Sequence, residues 1–443
     1  MIAEFASANS ENESGVHSWL ESVLGPKWAF LGAWSYFFVN LFFFCSLLPN
    51  TLIYGSYAFL GQNVFQGNHS TKIIAVISIL LFWLMTWVCI KGVSWISKVT
   101  SLAGGARLFM GVAFVVLAFV VVFGFGNEPA QEFTTTSIMP TFNWTFFMTM
   151  AWILQAVGGG ESIGVYIKDV KGGNKTFVRT MIGATIAVGI MYILGAVAVG
   201  LVVPTDVLKG NFSNGIFDIF KILGTYFHIP AAMMVRLVGI ILFVGSLGSL
   251  ALWTAAPVKV FFSEIPDGVF GKWLVKTNEE GNPTNALLVQ GIIVTILVAI
   301  PALGIGNMDS FLETLINMTA STSLVPVLFL LIAYIGLRWK KETMPRSFRF
   351  GNRTFGLIAG IFLLAIFIFV FFMSTVPDPK LIMEEINGTL PKGTASPLGM
   401  LAYNIIGLIV FMGFAWICWK RYETKEKNEV GKGEMDYEDL GKL

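Results

Sequence analysis

Histidine and cysteine are scarce in this sequence, three of each in 443 residues, and charged side chains make up only 13%. His17, His69 and His228 are each expected in a loop or at a helix end, on different sides of a membrane. No His-Glu-x-x-His pair or His/Cys/carboxylate cluster accompanies them, so the chemistry of a metalloenzyme has no ligands here. Cys45, Cys89 and Cys418 all lie within apolar runs, where cysteine is a small buried hydrophobe, and no disulfide framework is expected. The stretch KGGNKTF at 171–177 lacks the G-x-x-x-x-G-K-[ST] spacing of a phosphate loop, which disfavours direct ATP drive. Neither a filter loop nor a ring-forming charged pore motif marks a channel. A net charge of +2 gives a nucleic acid no reason to bind. No cofactor is implied and no enzyme is expected.

Apolar surface is abundant: 55% of the residues are hydrophobic, 40 are Phe, and the mean hydropathy is +0.73. No soluble chain of this length needs so much. Ten apolar runs are long enough, at about 19 residues, to cross a bilayer. They lie near 28–58, 73–90, 99–125, 142–165, 180–203, 231–257, 285–303, 310–337, 354–376 and 398–419. Continuous runs of this length exclude alternating barrel strands, so the fold class is an all-α polytopic membrane protein, with the lipid bilayer as its solvent.

Lys and Arg crowd alternate connections, and the cytoplasmic side is expected to hold the excess. Lys27; Lys91 and Lys98; Lys168, Lys171, Lys175 and Arg179; Lys259, Lys272 and Lys276; then Arg338, Lys340, Lys341, Arg346, Arg349 and Arg353 fall on one side. The other side holds Lys72, Lys209, Lys221, Lys380 and Lys392. Both ends of the chain are then cytoplasmic in a cell membrane. The expected organisation is one transmembrane domain over 1–419, with 1–27 the end of a helix and a loop and 28–419 the spans, followed by a mobile cytoplasmic tail over 420–443. The opening MIAEFASANSENES lacks a basic n-region and is not a signal peptide.

One apolar run contains its own interruption. ILQAVGGGESIG at 153–164 places Gly158, Gly159, Gly160 and Glu161 inside the fourth run. Non-helical backbone at membrane depth is tolerated only where it lines a cavity or is buried in protein, and broken helices are where secondary transporters hold substrate. Glycines also permit close helix packing, but an ionisable residue in a span is costly and points to function. Arg107 lies nine residues past Lys98, about 13 Å along a helix. It is too deep to snorkel easily, and either pairs with Glu161 or an anionic substrate or forms a structural ion pair. Arg236, six residues past Pro230, can snorkel, and a steering role at an outer gate is the weaker reading. The face NMTASTSLVP, with Asn317, Thr319, Ser321, Thr322 and Ser323, reads as glue between helices or as the wall of a cavity, with glue favoured.

These segments carry a resemblance. AVGGGESIGVYIKDVKGGNKTFVRTMIGA resembles the sixth helix and following loop of amino acid-polyamine-organocation superfamily permeases. GVHSWLESVLGPKWAFLGAW at 15–34 is similar to their third-helix region, DGVFGKWLVKTNEEGNPTNALL at 267–288 to a later loop, and MPRSFRFGN at 344–352 to the segment before the eleventh helix. RLVGIILFVGSLGSLALWTAAPVK, with Arg236, Trp253, Pro257 and Lys259, resembles the eighth helix of the glutamate/gamma-aminobutyrate antiporter family.

The resemblance implies a leucine-transporter-like fold of two inverted five-helix repeats, with ten spans here and the first helix and most of the second missing. That leaves half of the expected site, through a misplaced start, a fragment or an inactive product. It further implies a secondary-active carrier for an amino acid or amine, an antiporter or else a proton symporter. Gly158, Gly159 and Gly160 would line the substrate backbone site, and Glu161 would act in polar coordination or proton-sensitive gating. Gln155 would stand where arginine-exchanging relatives place a stacking Trp, or simply bond a neighbouring helix. Trp253 would be an aromatic gate, or a large core aromatic. A homo-oligomer is possible within this reading.

Overall fold

The computed structural model describes residues 1–9, 15–67, 69–91, 96–161, 170–266, 268–279, 282–391 and 396–440; the side chains at 96–100, 103, 256, 259–260, 263–264 and 427–440 lie outside this description. Lys168 and Lys392 of the charge argument, residues 162–165 at the end of the fourth apolar run, and the side chains of Lys98 and Lys259 therefore fall outside the described residues.

The chain opens with two short helices, α1 (Ile2–Ala8) and α2 (Val16–Leu24), before the long α3 (Pro26–Leu60), α4 (Ser70–Lys91) and α5 (Ile96–Phe119), which ends in a π-turn at Val120–Gly124. After α6 (Thr135–Ile138) come α7 (Trp144–Ala156), α8 (Gly173–Val202), α9 (Thr205–Leu208), α10 (Gly215–Tyr226) and α11 (Ala231–Glu264). The remainder is α12 (Thr284–Gly304), α13 (Met308–Lys340), α14 (Arg353–Thr375), α15 (Pro379–Ile386) and α16 (Pro397–Leu440). Among the described residues nine helices are long and apolar enough to cross a membrane: α3, α4, α5 with its π-turn, α8, α11, α12, α13, α14 and α16. The run at 142–165 is the exception, because its helix α7 stops after 13 residues, short of the ~20 needed to cross.

At the tail, α16 continues through 420–440 as helix. Its Glu, Lys and Arg content supplies good helix formers, so a solvated helix needs no apolar stripe.

α3 is the hub. It is apolar all round, and a helix of that kind is buried on every side; α11, α13, α4, α12 and α16 pack around it. Phe38, Leu41, Phe44, Cys45 and Leu48 are fully buried in the main core, which extends through Phe82, Phe261 and Trp419. In lipid, helices associate through close van der Waals contact rather than through expulsion of water. Gly239 of α11 serves that contact: a Cβ there would come 2.6 Å from the Ala58 backbone nitrogen of α3. α14 and α16 instead expose Ile358, Phe362, Ile406 and Ile409, the apolar surface a bilayer covers.

A second core sits at one end of the bundle, where Phe5, Trp19, Phe177, Tyr334 and Leu337 join α1, α2, α8 and α13. This end also holds Arg338, Arg346, Arg349 and Arg353, and is called the basic end below.

Candidate functional site

α7 starts on a well-formed cap and stops at a built break. The Asn143 side chain accepts from the Phe146 N–H at 2.9 Å, satisfying one orphan donor of the first turn. Trp144 Nε1 donates to the Val376 carbonyl (2.9 Å) and Trp152 Nε1 to Asn317 Oδ1 (2.8 Å), which hold α7 against α14 and α13. At Val157 the helix ends; Gly159 takes φ +96°, a conformation a Cβ makes costly. One carbonyl released by the break is recaptured, since Tyr192 of α8 donates its hydroxyl to the Ala156 carbonyl at 3.2 Å. Gly160 is closely approached: a Cβ would meet the end of the Met181 side chain at 3.0 Å and that of the Ile2 side chain at 3.3 Å, so both would have to give way.

Glu161 follows, 8% exposed, and its Oε2 accepts the Gly159 N–H at 3.1 Å. A cavity of about 240 Å³ opens beside it, lined by Tyr36, Asn40 and Phe43 of α3, by Gln155, Gly158, Gly159 and Glu161, by Trp253 of α11, and by Ser323 of α13. Clefts for drug-sized ligands hold ~300–1,000 Å³, so this one suits a smaller molecule. Trp253 meets Phe43 edge to face with centroids 6.0 Å apart, which closes one wall with aromatic surface.

Six of the residues singled out in the sequence thus share one cavity: Gln155, Gly158, Gly159, Glu161, Trp253 and Ser323. Gly160 packs behind it. Arg107 does not join them. Its Nη2 donates to Ser246 Oγ (2.8 Å) and the Leu242 carbonyl (3.1 Å), and its Nη1 to Ser249 Oγ (3.3 Å), so it is bound to α11 rather than paired with Glu161. Gly245 makes this docking possible, because a Cβ there would come 2.3 Å from Arg107 Nε. Arg236 also lies away from the cavity, exposed, with its guanidinium beside Gly61 at the end of α3.

The α13 hydroxyl face divides. Thr319 donates to the Phe42 carbonyl of α3 at 2.9 Å and Asn317 accepts from Trp152, which is interhelical glue, whereas Ser323 lines the cavity. Tyr36 and Asn40 were missed in the sequence. Their signal was there: two polar residues four apart in a phenylalanine-rich span lie on one helix face, and Asn40 Nδ2 donates to the Tyr36 carbonyl one turn back at 3.0 Å.

The family model described as amino acid permease matches residues 1–411. An aspartate/glutamate permease of Lactococcus lactis subsp. cremoris is 26% identical over 365 residues, covering 81% of this chain and 74% of that protein. A glutamate/gamma-aminobutyrate antiporter of Lactococcus lactis subsp. lactis is 25% identical over 438 residues, covering 96% and 81%. An uncharacterized transporter of Legionella pneumophila is 23% identical over 434 residues, covering 96% and 87%.

Proposed function

The chain belongs to the amino acid permease family, and from that premise we propose that it is a secondary-active carrier that exchanges one amino acid for another, or for the related amine, across the cell membrane. Its fold is the leucine-transporter-like bundle of that family, and it is a multi-pass membrane protein rather than an enzyme. The observation that carries the proposal is the α7 break: Gly158 and Gly159 present unwound backbone to a small cavity, and the Glu161 carboxylate stands beside it. Free peptide groups and a carboxylate are complementary to an amino acid's own charged ends, and a broken helix supplies them at membrane depth. Gln155, Gly158 and Gly159 line the substrate, Gly160 keeps the break tight, Glu161 coordinates the amine and senses protons, and Trp253 with Phe43 forms the gate. Arg107 and Arg236 have no direct part; Arg107 braces α5 on α11.

Alternating access moves this cavity between the two faces, and the excess of Lys and Arg at the basic end supports a cytoplasmic position for it. A second reading, proton-coupled symport, has support from the same Glu161, because a carboxylate in the site can carry the coupled proton.

Counterflow separates the two. Proteoliposomes loaded with unlabelled glutamate or γ-aminobutyrate, with no proton gradient, are expected to accumulate labelled glutamate transiently. Accumulation only under an imposed gradient would replace exchange by symport. Absence of any movement across a panel of the common amino acids and their amines would sink the carrier reading.

A further inference from the structure

The basic end holds a polar cluster that the cavity does not use. Glu4 of α1, Arg338 of α13 and Arg346 have side chains with no exposure. Glu4 Oε1 meets Arg338 Nη1 at 2.9 Å and Arg346 Nη1 at 3.3 Å, while Oε2 accepts from the Tyr334 hydroxyl (2.9 Å) and the Phe350 N–H (3.1 Å). Arg338 Nη2 in turn donates to the carbonyls of Phe350, Gly351 and Asn352, the turn that starts α14. Glu342 closes the cluster on Arg346 (2.8 Å) and Arg349 (3.0 Å). One carboxylate thereby joins α1, α13 and the entry to α14.

Buried ion pairs are poor sources of net stability, because desolvation offsets their attraction; what they supply in the best-attested cases is a fixed geometry. Here the geometry has a consequence at the cavity. Residues two apart on a helix point about 200° from each other at 3.6 residues per turn. Glu4 faces α13, and Ile2, two residues away on α1, has its Cδ1 3.3 Å from where a Cβ on Gly160 would stand. α1 is a wedge with the ion cluster on one face and the α7 break on the other. Phe5, stacked on Trp19 and edge-on to Tyr334, holds the wedge from turning.

We propose that Glu4 is a positioning residue of the transport site: its clamp on Arg338 and Arg346 presses Ile2 of α1 against Gly160 and so fixes the break that carries Glu161. The inference rests on the carrier reading for its functional consequence, but its structural arm stands without it. Release of the clamp would free α1, and the break with it.

Hydrogen–deuterium exchange of the full chain in lipid nanodiscs tests this directly. The amides of Val157, Gly158 and Gly159 are bonded to the Ile153 and Gln155 carbonyls and to Glu161, so they report the break. In Glu4→Gln their exchange is expected to rise about tenfold, within the range of coupling carried by packed elements, with α12 unchanged. Ile2→Ala cuts the wedge and leaves every charge in place; the same rise at 157–159 is expected, with the Arg338 cluster intact. Exchange at 157–159 that stays within twofold of the native value in Ile2→Ala, or in a folded Glu4→Gln whose α1 has loosened, would overturn the proposal and leave a local clamp. Where counterflow is active, both variants should raise KM for the labelled amino acid more than they lower the maximal rate. If the native chain moves no amino acid, the carrier reading fails, and the exchange pattern still decides the clamp.

Discussion

Glu161 accepts a backbone N–H from Gly159 inside the cavity wall, and its amide analogue keeps that acceptor while removing the charge. In Glu161→Gln, loss of the carboxylate's charged bond to the substrate amine proposed above, worth about 1.5–3 kcal/mol, should slow exchange roughly 10- to 100-fold. The pH dependence of exchange should flatten as well, measured as initial counterflow rate against pH. A variant with native rate and native pH profile would remove Glu161 from the mechanism. His17 gives a second residue-scale expectation, outside the spans. Burial in the first turn of α2 lowers its pKa, against the weaker pull of Glu21 at 3.8 Å. The folded state therefore prefers the neutral imidazole, while the unfolded chain takes up the proton near the usual value of about 6.5. This contribution is fully present above about pH 6.5 and is lost as pH falls through the lowered folded value. Thermal unfolding should fall more steeply below that pH in the native chain than in His17→Gln; parallel curves would refute it.

At the scale of elements, helix contacts are set where side chains are absent. Gly239 lets α11 lie against the Ala58 backbone of α3, whereas Gly183 of α8 has open space around it. Gly239→Leu should force α3 and α11 apart at a cost of about 1–3 kcal/mol or more, read as a fall in melting temperature in detergent. Gly183→Leu should cost little, and equal losses would show that the α3–α11 approach is not the cause. The break in α7 obeys a related rule. Its first half is pinned by Trp144 and Trp152 on α14 and α13, and its end is capped by Tyr192. The interruption is therefore held in place, and the glycines in the sequence announced it without announcing its three tethers, which come from residues 165 to 232 positions away in the chain for the two tryptophans.

Over the whole molecule, the excess of Lys and Arg at the basic end supports the proposal that this end faces the cytoplasm. Ser347, in the turn before α14, and Asn387, at the end of α15, are both exposed and lie on opposite sides in this assignment. In a Cys418→Ser background, an impermeant maleimide applied to intact cells should label Asn387→Cys and spare Ser347→Cys until the cells are opened. The reverse pattern would invert the protein in the membrane and move the Glu4 clamp to the outer face.

The fold class was legible in the sequence because a bilayer demands long apolar runs, and nine of the ten expected runs are helices of spanning length. The tenth was legible as an interruption, since three glycines and a glutamate are too costly in lipid to be incidental. The partners of the buried charges were not. The sequence allows Arg107 either as a partner of Glu161 or an anionic substrate or as part of a structural ion pair, and it docks on three polar groups of α11 through the gap at Gly245. Arg338 and Arg346 counted only as surface charges of a cytoplasmic loop, yet they are buried on Glu4. Hydropathy and charge asymmetry act on each residue singly and can be summed along a chain. Which arginine meets which carboxylate depends on the side-by-side placement of helices hundreds of residues apart, and only the packed bundle decides it.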